Sequence, residues 1–267
     1  MINLETIKTR RSVRTFDGNP LSPEDLEKIS RFAENIRNPY DIPVEFVLMD
    51  AKEKGLSSPV LAGETLYVAG KVEKVPHAEE AFGFAFEELV LYAWSLGIGT
   101  TWIGGTMKRE LFEKAAGLGE NQMMPCMSPL GYPAQKLSIR ETLMRKGVKA
   151  DERKDASELF FDKAFYIPLR EEDPNTAAAL EMVRFAPSAV NKQPWRVVRV
   201  GADYHFYLKH DKGYVSEATG DLQKVDMGIA LCHFMNGTEG SFCLTDPGIP
   251  TEEGTEYIAT VCVNHQA

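Results

Sequence analysis

The sequence is that of an α+β protein built from two tandem half-units, and three observations carry that reading. RRSVR at Arg10–Arg14 and APSAVNKQPW at Ala186–Trp195 lie about 175 residues apart, whereas in one ordinary domain both would fall close together near its start. The stretch LEKISRFAENIRNPYDIPVEFVL from Leu26 is echoed by LEMVRFAPSAVNKQPWRVVR from Leu180, with Arg31-Phe32-Ala33 matching Arg184-Phe185-Ala186. Further on, GFAFEEL from Gly83 is echoed by GIALCHF from Gly228. The echoes keep their order, which is the mark of internal duplication. Helical and strand-like segments also mix without regular βαβ alternation, the pattern of an α+β chain.

Each element follows from local chemistry. Asn3–Thr9 reads as a short helix, and RRSVRTF then runs into the turn Asp17-Gly18-Asn19-Pro20. Ser22 can cap a helix whose first position suits Pro23, so a helix is expected over Glu24–Asn35. Val44–Met49 and Thr65–Val68 read as strands, Glu79–Leu96 as a long helix stopped at Gly97, Glu110–Ala116 as a short helix and Gln122–Leu130 as a strand. Ser138–Ala164 is the most polar part of the first half. Its KADERKDASELFF reads as a solvated connector anchored by Phe160 and Phe161. The seam is placed there, dividing residues 1–150 from a shorter second half, 151–267. In that half Pro174–Phe185 and Val225–Met235 are expected helices, and Trp195–Val200, His205–His210 and Tyr257–Val263 expected strands.

The 267 residues are 43% hydrophobic and 26% charged, a globular composition. A net charge of −9 with scattered Lys and Arg argues against nucleic acid as a partner, because binding phosphates demands a basic face. Leu89–Met107 is uncharged for 19 residues but is broken by Gly97, Gly99, Gly104 and Gly105, so a buried helix ending in a glycine turn is expected and no membrane span. The first residues have no apolar stretch ahead of their basic ones, and a cytoplasmic location is expected. Cys126, Cys232, Cys243 and Cys262 have neither CxxC spacing nor paired histidines nearby, which suggests buried free thiols and no metal site.

Arg10, Arg11, Ser12 and Arg14 concentrate three guanidinium groups and a hydroxyl in an acidic chain. Such a cluster suits a phosphate or another dianion, because guanidinium binds oxyanions bidentately and stays charged; similar runs also sit on solvated helix ends. Pro187, Ser188, Asn191, Gln193 and Pro194 fall where a helix turns into a strand. Their donors and acceptors match a flat heterocycle, although the same residues also make a helix cap with a proline-bracketed turn. GIGTTWIGG at Gly97–Gly105 has Trp102 at the third glycine position and follows a helix, which sets it apart from a dinucleotide-binding turn. Its glycines either let backbone approach a ligand or lead the helix into a buried strand.

Together, RRSVRTF, EELVLYAWSLGIGTTWIGG, PLGYPAQK and APSAVNKQPWRVV span most of the chain and resemble the nitroreductase family of FMN-dependent flavoproteins. The resemblance is to single-chain members in which two half-units stand in for the usual homodimer. It implies a three-layer nitroreductase-like fold arranged as an intramolecular pseudo-dimer. It also implies one FMN per chain and a monomer that needs no partner. On this resemblance Arg10, Arg11 and Ser12 look like phosphate and ribityl contacts, and Arg14 like the cation near the flavin pyrimidine edge. Pro187, Ser188, Asn191 and Gln193 look like the loop supplied by the other half. The backbone of Gly104 and Gly105 resembles the segment facing flavin N5, and Lys136 an additional phosphate cation. The first half has Glu34-Asn35-Ile36-Arg37-Asn38 in place of the loop, and the second half has no RRS. The implied activity is NADH or NADPH oxidation coupled by ping-pong hydride transfer to a small-molecule acceptor such as a nitroaromatic or quinone. No catalytic side chain is implied. The alternative is a flavin-sequestering protein of the same fold, with the connector after Lys136 as a lid.

Overall fold

In the computed structural model, residues 2–170 and 173–264 are described. Helix α1 (Leu4–Thr9) is capped by Asn3 and helix α2 (Pro23–Asn35) by Ser22, whose hydroxyl accepts from the Asp25 N–H at 3.1 Å. Strand β1 (Val44–Asp50), helix α3 (Ala51–Lys54), strand β2 (Leu66–Glu73) and helix α4 (Ala78–Ser95) follow. Helix α5 (Arg109–Ala116) leads to two short strands, β3 (Gln122–Met123) and β4 (Met127–Leu130), where one strand was expected. Pro125 lies between them and has no N–H to donate to a ladder.

The stretch expected to be a solvated connector is instead structured: it holds α6 (Ile139–Gly147), α7 (Ala156–Leu159) and β5 (Phe160–Asp162). The physical reason is capping. Ser138 accepts from the Glu141 N–H at 3.1 Å, and Asp155 and Glu158 form a reciprocal capping box. Phe160 and Phe161 are buried, as expected of anchors. Helix α8 (Pro174–Phe185), strands β6 (Trp195–Val200) and β7 (Asp203–Lys209), the ribbon β8 (Val215–Ser216) and β9 (Gly220–Asp221), helix α9 (Leu222–Gly237) and strands β10 (Gly240–Cys243) and β11 (Thr255–Val263) complete the chain.

One sheet is antiparallel, with β2 paired to β1, β3 and β4. The other runs β10-β11-β7-β6-β5, antiparallel except that β5 joins β6 in parallel. Between the sheets lie the helices: α4 packs on β1 and β2, α9 on β6 and β7, and α4 and α9 on each other. The order helix, antiparallel strand pair, central helix therefore occurs twice, as α2-β1-β2-α4 and as α8-β6-β7-α9, giving two tandem half-units packed face to face.

The α4–α9 crossing is tight because both helices present glycine there. A Cβ on Gly83 would lie 2.1 Å from the Val225 carbonyl oxygen, and one on Gly228 would lie 2.0 Å from that of Glu80. Deeper in the same interface, His233 meets Glu87 at 2.9 Å and Cys232 meets Glu88 at 3.5 Å. Of the four cysteines, Cys126 and Cys232 are buried as expected. Cys243 and Cys262 are only half-buried, since they sit on the outer pair of strands, β10 and β11.

Candidate functional site

RRSVRTF runs extended beside two other segments singled out in the sequence. Ser12 pairs with Thr100, Phe16 with Pro133, and Gly99 with Gly131; the Val13 N–H donates to the Thr100 carbonyl at 2.8 Å. Glu141 of α6 fastens this run from outside. Its carboxylate accepts from Arg11 Nη1 at 3.4 Å, the Arg14 N–H at 3.2 Å and Thr15 Oγ1 at 2.8 Å, and the residue is buried.

Arg10 points inward, with its side chain 5% exposed and Nε 4.0 Å from Glu87 Oε1. Glu87 is already engaged, accepting from Trp102 Nε1 at 2.9 Å and contacting His233 Nε2 at 2.9 Å, while His233 Nδ1 lies 2.8 Å from the Met182 carbonyl. Arg10 Nε and Nη1 are buried without a hydrogen-bond partner among the described residues. Burial lowers the Arg10 pKa, Glu87 opposes that and Arg145 adds to it. Arg14 is half-buried, its pKa likewise lowered by burial against the pull of Glu141.

In the second half, the Ala186–Trp195 stretch contains a 3₁₀ turn at Ala189–Asn191. Val190, Asn191 and Gln193 take φ of 50°, 59° and 53°, the left-handed region that β-branched residues rarely enter. Two contacts hold this shape. Ser188 Oγ accepts from the Gln193 N–H at 2.9 Å, and Asp226 of α9 accepts from the Ala189 N–H at 2.9 and 3.2 Å through its two oxygens. Burial holds Asp226 well above the usual carboxylate range, partly offset by that Ala189 bond.

Beside the glycine segment, burial foremost pushes the Cys126 thiol up to about 12, and a Cβ on Gly104 would lie 3.2 Å from the Cys126 sulfur and 3.6 Å from Leu222 Cδ1. The Gly104 carbonyl accepts from Arg109 Nη2 at 2.7 Å, and Gly105 faces open space.

At its other end the loop holds the α6–α7 segment. Asn191 Nδ2 donates to the carbonyls of Lys149 and Glu152 at 2.7 and 3.0 Å, and Gln193 Oε1 accepts from the Lys154 N–H at 2.9 Å. Lys136 is exposed, with no hydrogen bond or ion pair among the described residues. A cavity of about 860 Å³ lies elsewhere, along α2 and β1 beside Glu34, Ile36, Arg37 and Asn38.

The sequence reading singled out Arg10, Arg11, Ser12, Arg14, Gly104, Gly105, Pro187, Ser188, Asn191 and Gln193. It missed the residues that hold them: Glu87, Glu141 and Asp226. Glu141 carried a signal, the Ser138-x-x-Glu141 capping pattern that starts α6. Glu87 and Asp226 carried none, since acidic residues inside helices are commonplace.

Against family models, residues 3–238 match the family described as "Putative TM nitroreductase". The chain belongs to that nitroreductase family. A relative from Archaeoglobus fulgidus, described as a "Putative NADH dehydrogenase/NAD(P)H nitroreductase", is 29% identical over 157 residues, which is 52% of this chain and 89% of that protein. Most of one relative thus corresponds to about half of this nitroreductase-family chain. Among solved structures, a "putative nitroreductase" from Thermotoga maritima superposes with a TM-score of 0.60 at 21% identity, covering 99% of this chain and 94% of that one. At that identity the likeness establishes the nitroreductase fold. Family and relatives together support a general oxidoreductase function.

Proposed function

We propose that the protein is an FMN-dependent NAD(P)H oxidoreductase with one flavin site per chain. In this proposal residues 1–150 supply the RRSVR run and the Gly104-Gly105 backbone, and residues 151–267 supply the Pro187–Gln193 loop. The observation that carries it is Arg10: a buried guanidinium whose Nε and Nη1 lack partners among the described residues, while the carboxylate beside it, Glu87, is shared with Trp102 and His233. A buried cation in that state is stabilised by an anion that offers several acceptor oxygens, as a flavin phosphate does. In this respect the residues present fit the group.

FMN held there would supply the capacity to carry electrons from NADH or NADPH to a small acceptor. This chain's residues have the supporting tasks. Arg10 and Ser12 would hold the phosphate and ribityl end, and Arg14 would place positive charge beside the ring. Gly104 and Gly105 would present backbone without side chains in the way, and Asp226 would keep the strained loop in register through Ala189. Lys136 remains proposed as an outer phosphate contact.

A flavin-sequestering role is the second reading, and one observation favours it: both Asn191 amide hydrogens are engaged by the α6–α7 segment, which lies over the loop. The deciding experiment is anaerobic titration of the FMN-loaded protein with NADH and with NADPH. Prompt bleaching at about one flavin per chain supports the oxidoreductase. Bound flavin that neither nucleotide reduces supports sequestration, and failure to bind FMN at all overturns both.

A further inference from the structure

We propose that Arg145 and Arg153, carried by the α6–α7 segment, belong to the anion site begun by Arg10. A phosphate monoester bound there would fasten this segment onto the Pro187–Gln193 loop. Naming FMN as the source of that phosphate rests on the function proposed above; the anion site itself rests on the following geometry.

Phe185 is the meeting point. The Arg153 guanidinium lies 5.5 Å from its ring centroid, and Nη2 donates to its carbonyl at 3.4 Å. Lys8, two residues before Arg10, lies 5.5 Å from the same ring, and Arg184 lies 5.1 Å away. These cations differ in how they are compensated. Arg184 is held bidentately by Glu181, with both bonds at 2.7 Å. Arg11 has Glu141, and Arg145 has Asp151, which is 81% exposed. Among the described residues Arg153 donates only to carbonyl oxygens, those of Ala150 at 2.9 Å, Glu152 at 2.8 Å and Phe185, and its Nε is buried without a partner.

Arg10 and Arg153 therefore both carry buried nitrogens with no acceptor. Their charges also oppose each other: burial foremost, then Arg10, Arg184 and Arg145, lowers the Arg153 pKa, with Asp151 working the other way. Two buried guanidinium groups with donor nitrogens to spare are stabilised by a dianion that offers acceptor oxygens to both. The segment carrying Arg145 and Arg153 is the one bonded to Asn191 and Gln193, so binding at the cations and docking on the loop stabilise each other.

The test is hydrogen exchange of residues 145–154 in the full chain with inorganic phosphate, FMN or riboflavin, alongside fluorescence titration of both flavins. FMN and phosphate should slow exchange in that segment and riboflavin should not. Wild type should prefer FMN to riboflavin by at least about tenfold, and Arg153→Gln or Arg145→Gln should cut that ratio by about tenfold or more, while Lys52→Gln, at an exposed lysine on α3, preserves it. Arg153→Lys, which keeps the charge, should retain part of the preference and guards against a misfolded Gln variant. An unchanged ratio and unchanged phosphate protection in both arginine variants would overturn the proposal. Arg153-dependent protection by phosphate with no flavin binding would uphold the anion site and sink the flavin reading. Reducible flavin indifferent to both arginines would do the reverse.

Discussion

Gly83 and Gly228 make one reciprocal contact: each lies against the backbone of the residue three positions before the other, Gly83 on Val225 and Gly228 on Glu80. An exchange of this kind, in which i meets j and the equivalent of j meets the equivalent of i, is what two-fold interfaces between subunits show. Here it occurs within one chain.

The crossing reverses the usual sign of a helical glycine substitution. Ala in place of Gly ordinarily stabilises a helix by about 1 kcal/mol, but a Cβ on Gly228 would be 2.0 Å from the Glu80 oxygen. Gly228→Ala is expected to cost about 3 kcal/mol in urea unfolding, with the helices forced apart. Gly83→Ala combined with it should cost less than the sum, because one separation accommodates both methyl groups.

Glu141 should control whether α6 stays on the RRSVRTF run. Glu141→Ala removes the acceptor of the Arg14 N–H, Thr15 Oγ1 and Arg11 Nη1, and a loss of about 3 kcal/mol is expected. In hydrogen exchange the effect should be local: faster exchange in α6, with α4 as protected as in wild type.

Asp226 sets a pH dependence. Its carboxyl pKa is raised by burial, so the folded state holds a proton that the unfolded state releases near pH 4. That contribution is fully present below about pH 4 and declines as pH rises towards the raised folded pKa. Asp226→Asn, which keeps an oxygen for the Ala189 N–H, should remove this component. Urea midpoints measured from pH 4 upward should fall less steeply in the variant than in wild type.

Val190 pairs a β-branched side chain with φ of 50° and is 58% exposed. Little burial is lost on truncation, and left-handed backbone is natural to glycine. Val190→Gly is therefore expected to raise stability by about 0.5–1 kcal/mol, read as a higher melting temperature.

Much of the fold was legible because it depends on near neighbours. The Ser22-Pro23 start of α2, the Asn3–Thr9 turn of helix, the stop of the long helix before Gly97 and the strand at Trp195–Val200 follow from capping, proline geometry and apolar runs. The stretch from Ser138 to Ala164 was misread because its polar composition outweighed two capping signals that were present. The short β10 and the split between β3 and β4 were missed for a related reason: strands this brief exist by pairing with a partner, and Gly240–Cys243 owes its place to β11.

The candidate site divides along the same line. Residue types and their order sufficed for the duplicated plan and for the RRSVR and Pro187–Gln193 segments, since donors, glycines and prolines are properties of the residues themselves. Only the folded chain decided that Arg10 is buried with nitrogens to spare, that Asn191 and Gln193 hold the α6–α7 segment, and that Arg153 arrives beside Phe185. Burial and compensation of charge depend on what lies across a gap of 30 to 150 residues, and no local pattern encodes them. Phe185 was visible in the sequence as part of a repeat; its place among the cations of Lys8, Arg153 and Arg184 exists only after packing.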